Sequence, residues 1–184
     1  MAVDIQPTPN PNALKFIIDQ TVRDEGKTSF KNPTQAKDVP LASALFDLRG
    51  VDQVHMFQNV ITVSKFSFEP WDSLEPTIVT TIENMIDDHN PGFKDHDPET
   101  ERRKSLSPEL LEIEGILDRT IRPGLQGDGG DLSVVSFEQN VLLIRYQGAC
   151  GTCPSSTTGT LEAIRSILRD EHNPDIEVYI APEF

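Results

Sequence analysis

Cysteine is scarce in this chain of 184 residues, with only two, and no stretch of more than four consecutive residues is apolar. Two thiols cannot form the dense disulfide framework of a small secreted protein, so that class is excluded. A membrane-spanning helix takes ~20 apolar residues, and the run at 141–144 falls far short of it. Positive charge is short as well. Sixteen Lys and Arg face 30 Asp and Glu, for a formal charge of −14. The imbalance spans the chain: 11 basic against 17 acidic side chains precede Ser105, and 5 against 13 follow from it, with no lysine after Lys104. A binder of nucleic acid or of an anionic membrane needs the opposite sign. The opening MAVDIQPTPN lacks the basic and apolar regions of a signal peptide and the Arg-rich amphipathicity of a transit peptide. A cytoplasmic protein is expected, and a mature organellar form stays open if a presequence has been removed.

What is present suffices for modest cores. Apolar residues make up 36% of the chain, and a domain usually takes roughly 100–200 residues, so one ordinary domain or two small ones are allowed. Residues 90–108 carry Pro91, Pro98 and Pro108 among many charges and read as a linker. The expected organisation is a first domain at 1–89, a charged, proline-containing linker at 90–107 and a second domain at 108–184. Each is an α+β unit with a small sheet layered against helices.

In the first domain, strands are expected at 13–19, 54–57 and 60–66 and a short helix at 41–48. A longer helix is expected from about Asp72 to His89. Leu74, Ile78, Ile82, Met85 and Ile86 share one face of it, with Pro76 in the first turn. In the second domain, Leu110, Ile113, Leu117 and Ile121 mark a helix that Arg122-Pro123-Gly124 should end. Gly127 to Asp131 then reads as a tight turn into a strand at 132–137, returning at 141–146. A helix carrying Leu161, Ile164, Ile167 and Leu168 and a last strand at 176–180 complete an αββαβ order.

Both cysteines lie between that second strand and that helix, in Gly148-Ala149-Cys150-Gly151-Thr152-Cys153-Pro154-Ser155-Ser156. Proline suits a first helical position, and the free N–H groups of a helix start stabilise a thiolate. Cys150 and Cys153 are therefore candidates for metal or redox work. A tetrahedral zinc site or an iron–sulfur cluster takes about four protein ligands, so one chain is two sulfurs short. His172 lies about 28 Å further along the helix at 1.5 Å per residue, out of reach. A second copy related by twofold symmetry supplies the missing pair.

GACGTCPSS, with the upstream IRPGLQGDGGD, resembles the C-terminal domain of the NifU-like (Nfu) family of iron–sulfur cluster carriers, and TPNPNALKF with WDSLEPTIVTTIE resembles the N-terminal domain that accompanies it. The resemblance covers nearly the whole chain. It implies a [4Fe-4S] cluster, one shared per two chains in a homodimer formed on cluster binding. It also implies Cys150 and Cys153 as ligands, upstream assembly factors, and transfer to apo-protein clients without enzymatic turnover. Two other readings fit the same cysteine pair: a thiol–disulfide oxidoreductase and a structural zinc-bridged dimer. The first sits poorly with only 31 residues after Cys153, enough for one helix and one strand.

The remaining motifs read as structure. Counted as a calcium loop from Asp128, positions three and twelve are Gly130 and Gln139, where acidic ligands belong. Gly26-Lys27-Thr28 lacks the leading glycine of a phosphate-binding loop. His55 alternates with apolar neighbours in a strand and reads as packed. His89 and His96 stand among solvated acids.

Overall fold

The computed structural model describes residues 2–94, 106–150 and 154–182, the side chains of 154–157 excepted. The chain divides into two compact units, Met1–His96 and Asp97–Phe184.

The first unit is an antiparallel five-stranded sheet in the order β1-β2-β5-β4-β3. Its strands are β1 Asp4–Pro7, β2 Ala13–Ile17, β3 Lys27–Phe30, β4 Val51–Phe57 and β5 Val60–Lys65. Three helices accompany it: α1 Pro33–Ala36, α2 Pro40–Phe46 and α3 Trp71–Met85, the last followed by a 3₁₀ turn at Ile86–Asp88. The core joins Phe16, Val54, Met56, Ile61 and Val63 of the sheet to Leu41 and Leu45 of α2 and to Leu74, Ile78 and Ile82 of α3. The face expected of α3 is thus the buried one, with Met85 only partly covered. Pro76 differs from expectation. It lies in the sixth position of α3, past the first turn, so the Asp72 carbonyl lacks its usual N–H partner there.

Strands β1 and β3 were not expected. Both are four-residue edge strands, too short for alternation to show in the sequence. The first unit also runs past residue 89. Phe93 is buried against its core, Asp24 N–H donates to the Pro91 carbonyl at 3.2 Å, and Arg23 Nη1 donates to the Phe93 carbonyl at 2.5 Å. His55 is packed, 3% exposed, with Nδ1 2.6 Å from Ser29 Oγ.

The second unit runs α4 Pro108–Thr120, α5 Arg122–Gly127, β6 Gly130–Glu138, β7 Val141–Gly148, α6 Pro154–Glu171 and β8 Glu177–Ile180. Its sheet order is β6-β7-β8, antiparallel then parallel. Gln139 and Asn140 both take positive φ, 50° and 65°, as a two-residue hairpin between twisted strands requires. The parallel pairing of β7 with β8 needs a crossover, and α6 supplies it. Ile113 and Leu117 of α4 and Ile164 and Leu168 of α6 pack on Leu132, Val134, Leu142, Ile144 and Val178.

The expected stop holds for α4, which ends at Thr120, but Arg122-Pro123-Gly124 also opens the short helix α5, because proline in a first turn forfeits no intrahelical bond. The tight turn expected at Gly127 to Asp131 is accordingly shorter. Helix α5 reaches Gly127, Asp128 caps it, Gly129 turns at φ +78°, and β6 starts at Gly130.

Each unit has its own core, so each should fold alone. Fragments 2–94 and 106–184 are expected to show separate cooperative thermal transitions, measured by circular dichroism. A fragment that stays unfolded would show that its core needs the other unit.

Candidate functional site

Alternation along β7 decides where the loop carrying the cysteines begins. Leu142, Ile144, Tyr146 and Gly148 face the core, and Gly130 pairs with Gly148 across the hairpin. Gly148 has φ +61°, a left-handed conformation that turns the chain out of the strand. Ala149 N–H then donates to the Gly129 carbonyl at 3.2 Å, carrying the chain over the start of β6. Cys150 follows, only 6% exposed.

Gly130 makes this path available. A Cβ there would stand 2.4 Å from Cys150 Sγ and 2.9 Å from the Cys150 backbone nitrogen, both closer than atoms approach. The cysteine is seated directly on a glycine backbone.

A buried charge cluster fixes the other side of that glycine. The Arg122 side chain is 4% exposed, and its Nη2 lies 2.5 Å from Glu114 Oε2. Nη1 bonds Asp118, and Nε is 3.4 Å from Asp131 Oδ1. Asp131 is wholly buried, next to Gly130, and accepts from Leu132 N–H at 2.7 Å and Gln126 Nε2 at 2.9 Å. Burial alone would lower the guanidinium's pKa, but Glu114, Asp118 and Asp131 together raise it above its ordinary value. Arg122 therefore stays charged at every pH the fold meets. Helices α4 and α5 are thereby tied to the first residues of β6.

Tyr146 is the third component. It is 5% exposed and belongs to the same core cluster as Cys150. Its hydroxyl has no hydrogen-bond partner among the described residues. Burial, and after it the charge of Cys150, pushes the phenol above its ordinary range, so it stays protonated and able to donate. Burying such a hydroxyl without an acceptor costs about 1–3 kcal/mol.

Of the two expected site residues, Cys150 stands in this framework, and Cys153 lies outside the described residues. Among the described residues no group of three or more His, Cys, Asp or Glu is placed to hold a metal ion. A soft thiolate donor suits iron–sulfur clusters, zinc and copper(I). His172 is at the far end of α6, near Glu109 and Glu112 at 3.7 and 3.6 Å, as its distance along the helix requires.

Sequence reasoning passed over Arg122, Asp131, Gly130 and Tyr146. Signals for two of them were there: Arg122 stands four residues after Asp118 and eight after Glu114, and Tyr146 shares the parity of Leu142 and Ile144.

Comparison with known proteins agrees with this layout. Residues 3–89 match the family described as "Scaffold protein Nfu/NifU N terminal", and residues 113–179 match the "NifU-like domain". A human protein named "NFU1 iron-sulfur cluster scaffold homolog, mitochondrial" is 35% identical over 96% of this chain and 70% of its own length. The chain belongs to the Nfu family of iron–sulfur cluster scaffold proteins. A Drosophila sechellia protein of the same name is 33% identical over 96% of this chain, which spans 63% of that relative's length. "NifU-like protein 4, mitochondrial" of Arabidopsis thaliana is 32% identical over 91% of this chain and 62% of its own. No helix among the described residues is long and apolar enough to cross a membrane.

Two substitutions separate the supports of Cys150 in this Nfu protein. Gly130→Ala should cost about 1–3 kcal/mol through overpacking against Cys150. Arg122→Met should cost about 3–5 kcal/mol by leaving Glu114 and Asp131 buried without their cation. Chemical denaturation of each variant and of the double variant measures both. The double variant should fall short of the sum, since both changes act on one segment.

Proposed function

We propose that two copies of this chain share one [4Fe-4S] cluster on Cys150 and Cys153 of each, and pass it to apo-proteins. The observation that carries this reading is the seat of Cys150: a nearly buried sulfur, held against Gly130, at the start of the Cys-x-x-Cys loop between β7 and α6. The cluster is cargo, not a resident cofactor. The thiolates hold it, the surrounding core limits access of water, and exchange of thiolates at iron hands it to a client.

The donor set fits the cargo. One chain offers two sulfurs where a cluster takes about four ligands, and no third His, Cys, Asp or Glu completes the set among the described residues. A homodimer assembled around the cluster meets the count, with upstream factors supplying iron and sulfide and apo-proteins receiving the product. No catalytic residue is assigned. The relatives' names place them in mitochondria, which supports a mature organellar form over a cytoplasmic one. The proposed division of labour keeps cluster chemistry in the second unit, with partner recognition in the first and the charged segment beyond Phe93 as the link.

The thiol–disulfide oxidoreductase is the less supported reading, because the families matched by both units are those of scaffold and NifU-like proteins. A zinc-bridged dimer uses the same four thiolates.

Anaerobic reconstitution with iron and sulfide separates these readings. About four irons and four sulfides per two chains are expected, with broad visible absorption, and Cys150→Ser or Cys153→Ser alone should abolish it. A colourless zinc-bound dimer or a full complement of iron in a stable monomer would sink the proposal.

A further inference from the structure

We propose that Phe66 and Phe68 form the anchor by which the first unit holds an apo-protein recipient, the two rings entering an apolar pocket rimmed by basic side chains on that protein. The inference deepens the carrier reading above and rests on it. Two of the exposed large apolar side chains stand two residues apart between β5 and α3, Phe66 at 44% exposure and Phe68 at 75%. Their rings stack, with centroids 5.6 Å apart and planes 2° from parallel, so they present one apolar surface. The loop that carries them is held on both sides. Phe66 N–H donates to the Gly50 carbonyl at 2.9 Å, and Glu69 N–H donates to the Phe66 carbonyl at 3.1 Å. The Glu69 side chain lies over Gly50, where a Cβ would stand 2.6 Å from its Cγ, and its Oε1 is 3.6 Å from Arg49 Nε. Just beyond, Trp71 Nε1 donates to the Pro11 carbonyl at 3.0 Å. A loop fixed in this way loses little further freedom when a partner takes the rings.

Size and charge choose the occupant. Together the rings leave exposed on the order of 200 Å², the surface of one aromatic side chain, whereas each side of a stable interface buries about 800 Å². Two copies meeting ring to ring would fall far short of that. They would also repel, since 11 basic against 17 acidic side chains precede Ser105, and the same sign argues against an anionic membrane. A protein with a pocket instead encloses the rings and adds contacts around them, as partners of aromatic anchors do. Its rim should be basic, because Asp72 is exposed at the start of α3 and Arg49, the cation at this loop, already faces Glu69. A recipient fits better than a donor. The proposed loaded dimer carries two such anchors for one cluster, so either can hold a recipient while thiolates exchange, whereas a donor meets a single empty chain.

The test uses the full chain with the photocrosslinker p-benzoylphenylalanine at position 68, irradiated in the cells that produce it, and identifies the captured proteins by mass spectrometry. Proteins that use an iron–sulfur cluster are expected among them. One of these, stripped of its cluster, then receives cluster anaerobically from reconstituted wild type and from the double variant Phe66→Ser, Phe68→Ser. Because both rings lie outside the core, the variant should load the same iron and keep its thermal midpoint. The recipient concentration that gives half-maximal transfer should rise about tenfold or more, the scale of losing an anchor side chain, with the rate at saturation unchanged. Crosslinks confined to a second copy, to a cluster donor or to proteins that use no cluster, or no crosslink at all, overturn the docking proposal. Equal concentration dependence in wild type and variant overturns it as well, and both outcomes leave the carrier reading standing. A wild type that takes up no visible-absorbing cluster overturns the carrier reading and, with it, the partner's identity as a recipient.

Discussion

A guanidinium enclosed by carboxylates fixes the geometry on which the cysteine loop depends. Arg122 reaches Glu114 and Asp118 on α4 and Asp131 on β6, so one buried cation bonds two helical turns and a strand start together. Desolvating such a group is costly, and continuum reasoning gives little net stability to a buried ion pair over an apolar replacement. Its value here is positional. An apolar side chain at 122 could fill the same space, but it would not dictate which backbone groups of β6 sit where. Asp131, held by Arg122 and Gln126, accepts from Leu132 N–H and sets the first residues of the strand. Gly130 precedes it and carries Cys150.

The glycines translate that fixed strand start into a placed sulfur. Gly129 turns the chain out of α5 at φ +78°, Gly148 turns it out of β7 at φ +61°, and the two meet through Ala149 N–H and the Gly129 carbonyl. Between these turns Gly130 leaves no Cβ to hold the loop away. Sequence around Arg122 and sequence around Cys150 therefore form one structural unit, although 28 residues separate the two side chains. A substitution in either stretch acts on the same sulfur.

Much of this was legible in the residues. The 3.6-residue spacing of Leu74, Ile78 and Ile82 located α3 and its buried face, and the short apolar run from Val141, returning across Glu138 to Asn140, placed β7. The α+β class and the two units followed from such patterns, and the cysteine pair announced itself by spacing. Three things stayed hidden for physical reasons. Edge strands β1 and β3 are four residues long, below the length at which alternation separates from chance. Arg122-Pro123-Gly124 has the composition of a helix stop and does follow the end of α4, but only the fold, with the arginine paired back to α4, reveals that it also starts α5. Gly130 looks like one glycine of a flexible turn until Cys150, twenty residues on in sequence, is found upon it.

Charge bears on the assembly in a way the fold makes definite. Four of the five arginines from residue 105 onward are committed inside the unit: Arg119 to Glu171, Arg122 to its three carboxylates, Arg165 to Glu162 and Arg169 to Glu177. Thirteen acidic side chains stand against those five cations, so the surplus is negative and remains for solvent and partners to meet. Two copies brought together by their cysteine loops would add one surplus to the other, softened by the ~8 Å screening length at physiological ionic strength. Charge complementarity between identical acidic units thus contributes nothing favourable at long range. On the proposed reading, the attraction has to come from iron–sulfur bonds at the loops and from whatever apolar surface lies close around them. A dimer held that way lasts as long as its cargo does, so that release of the cluster to a client and separation of the two chains become a single event.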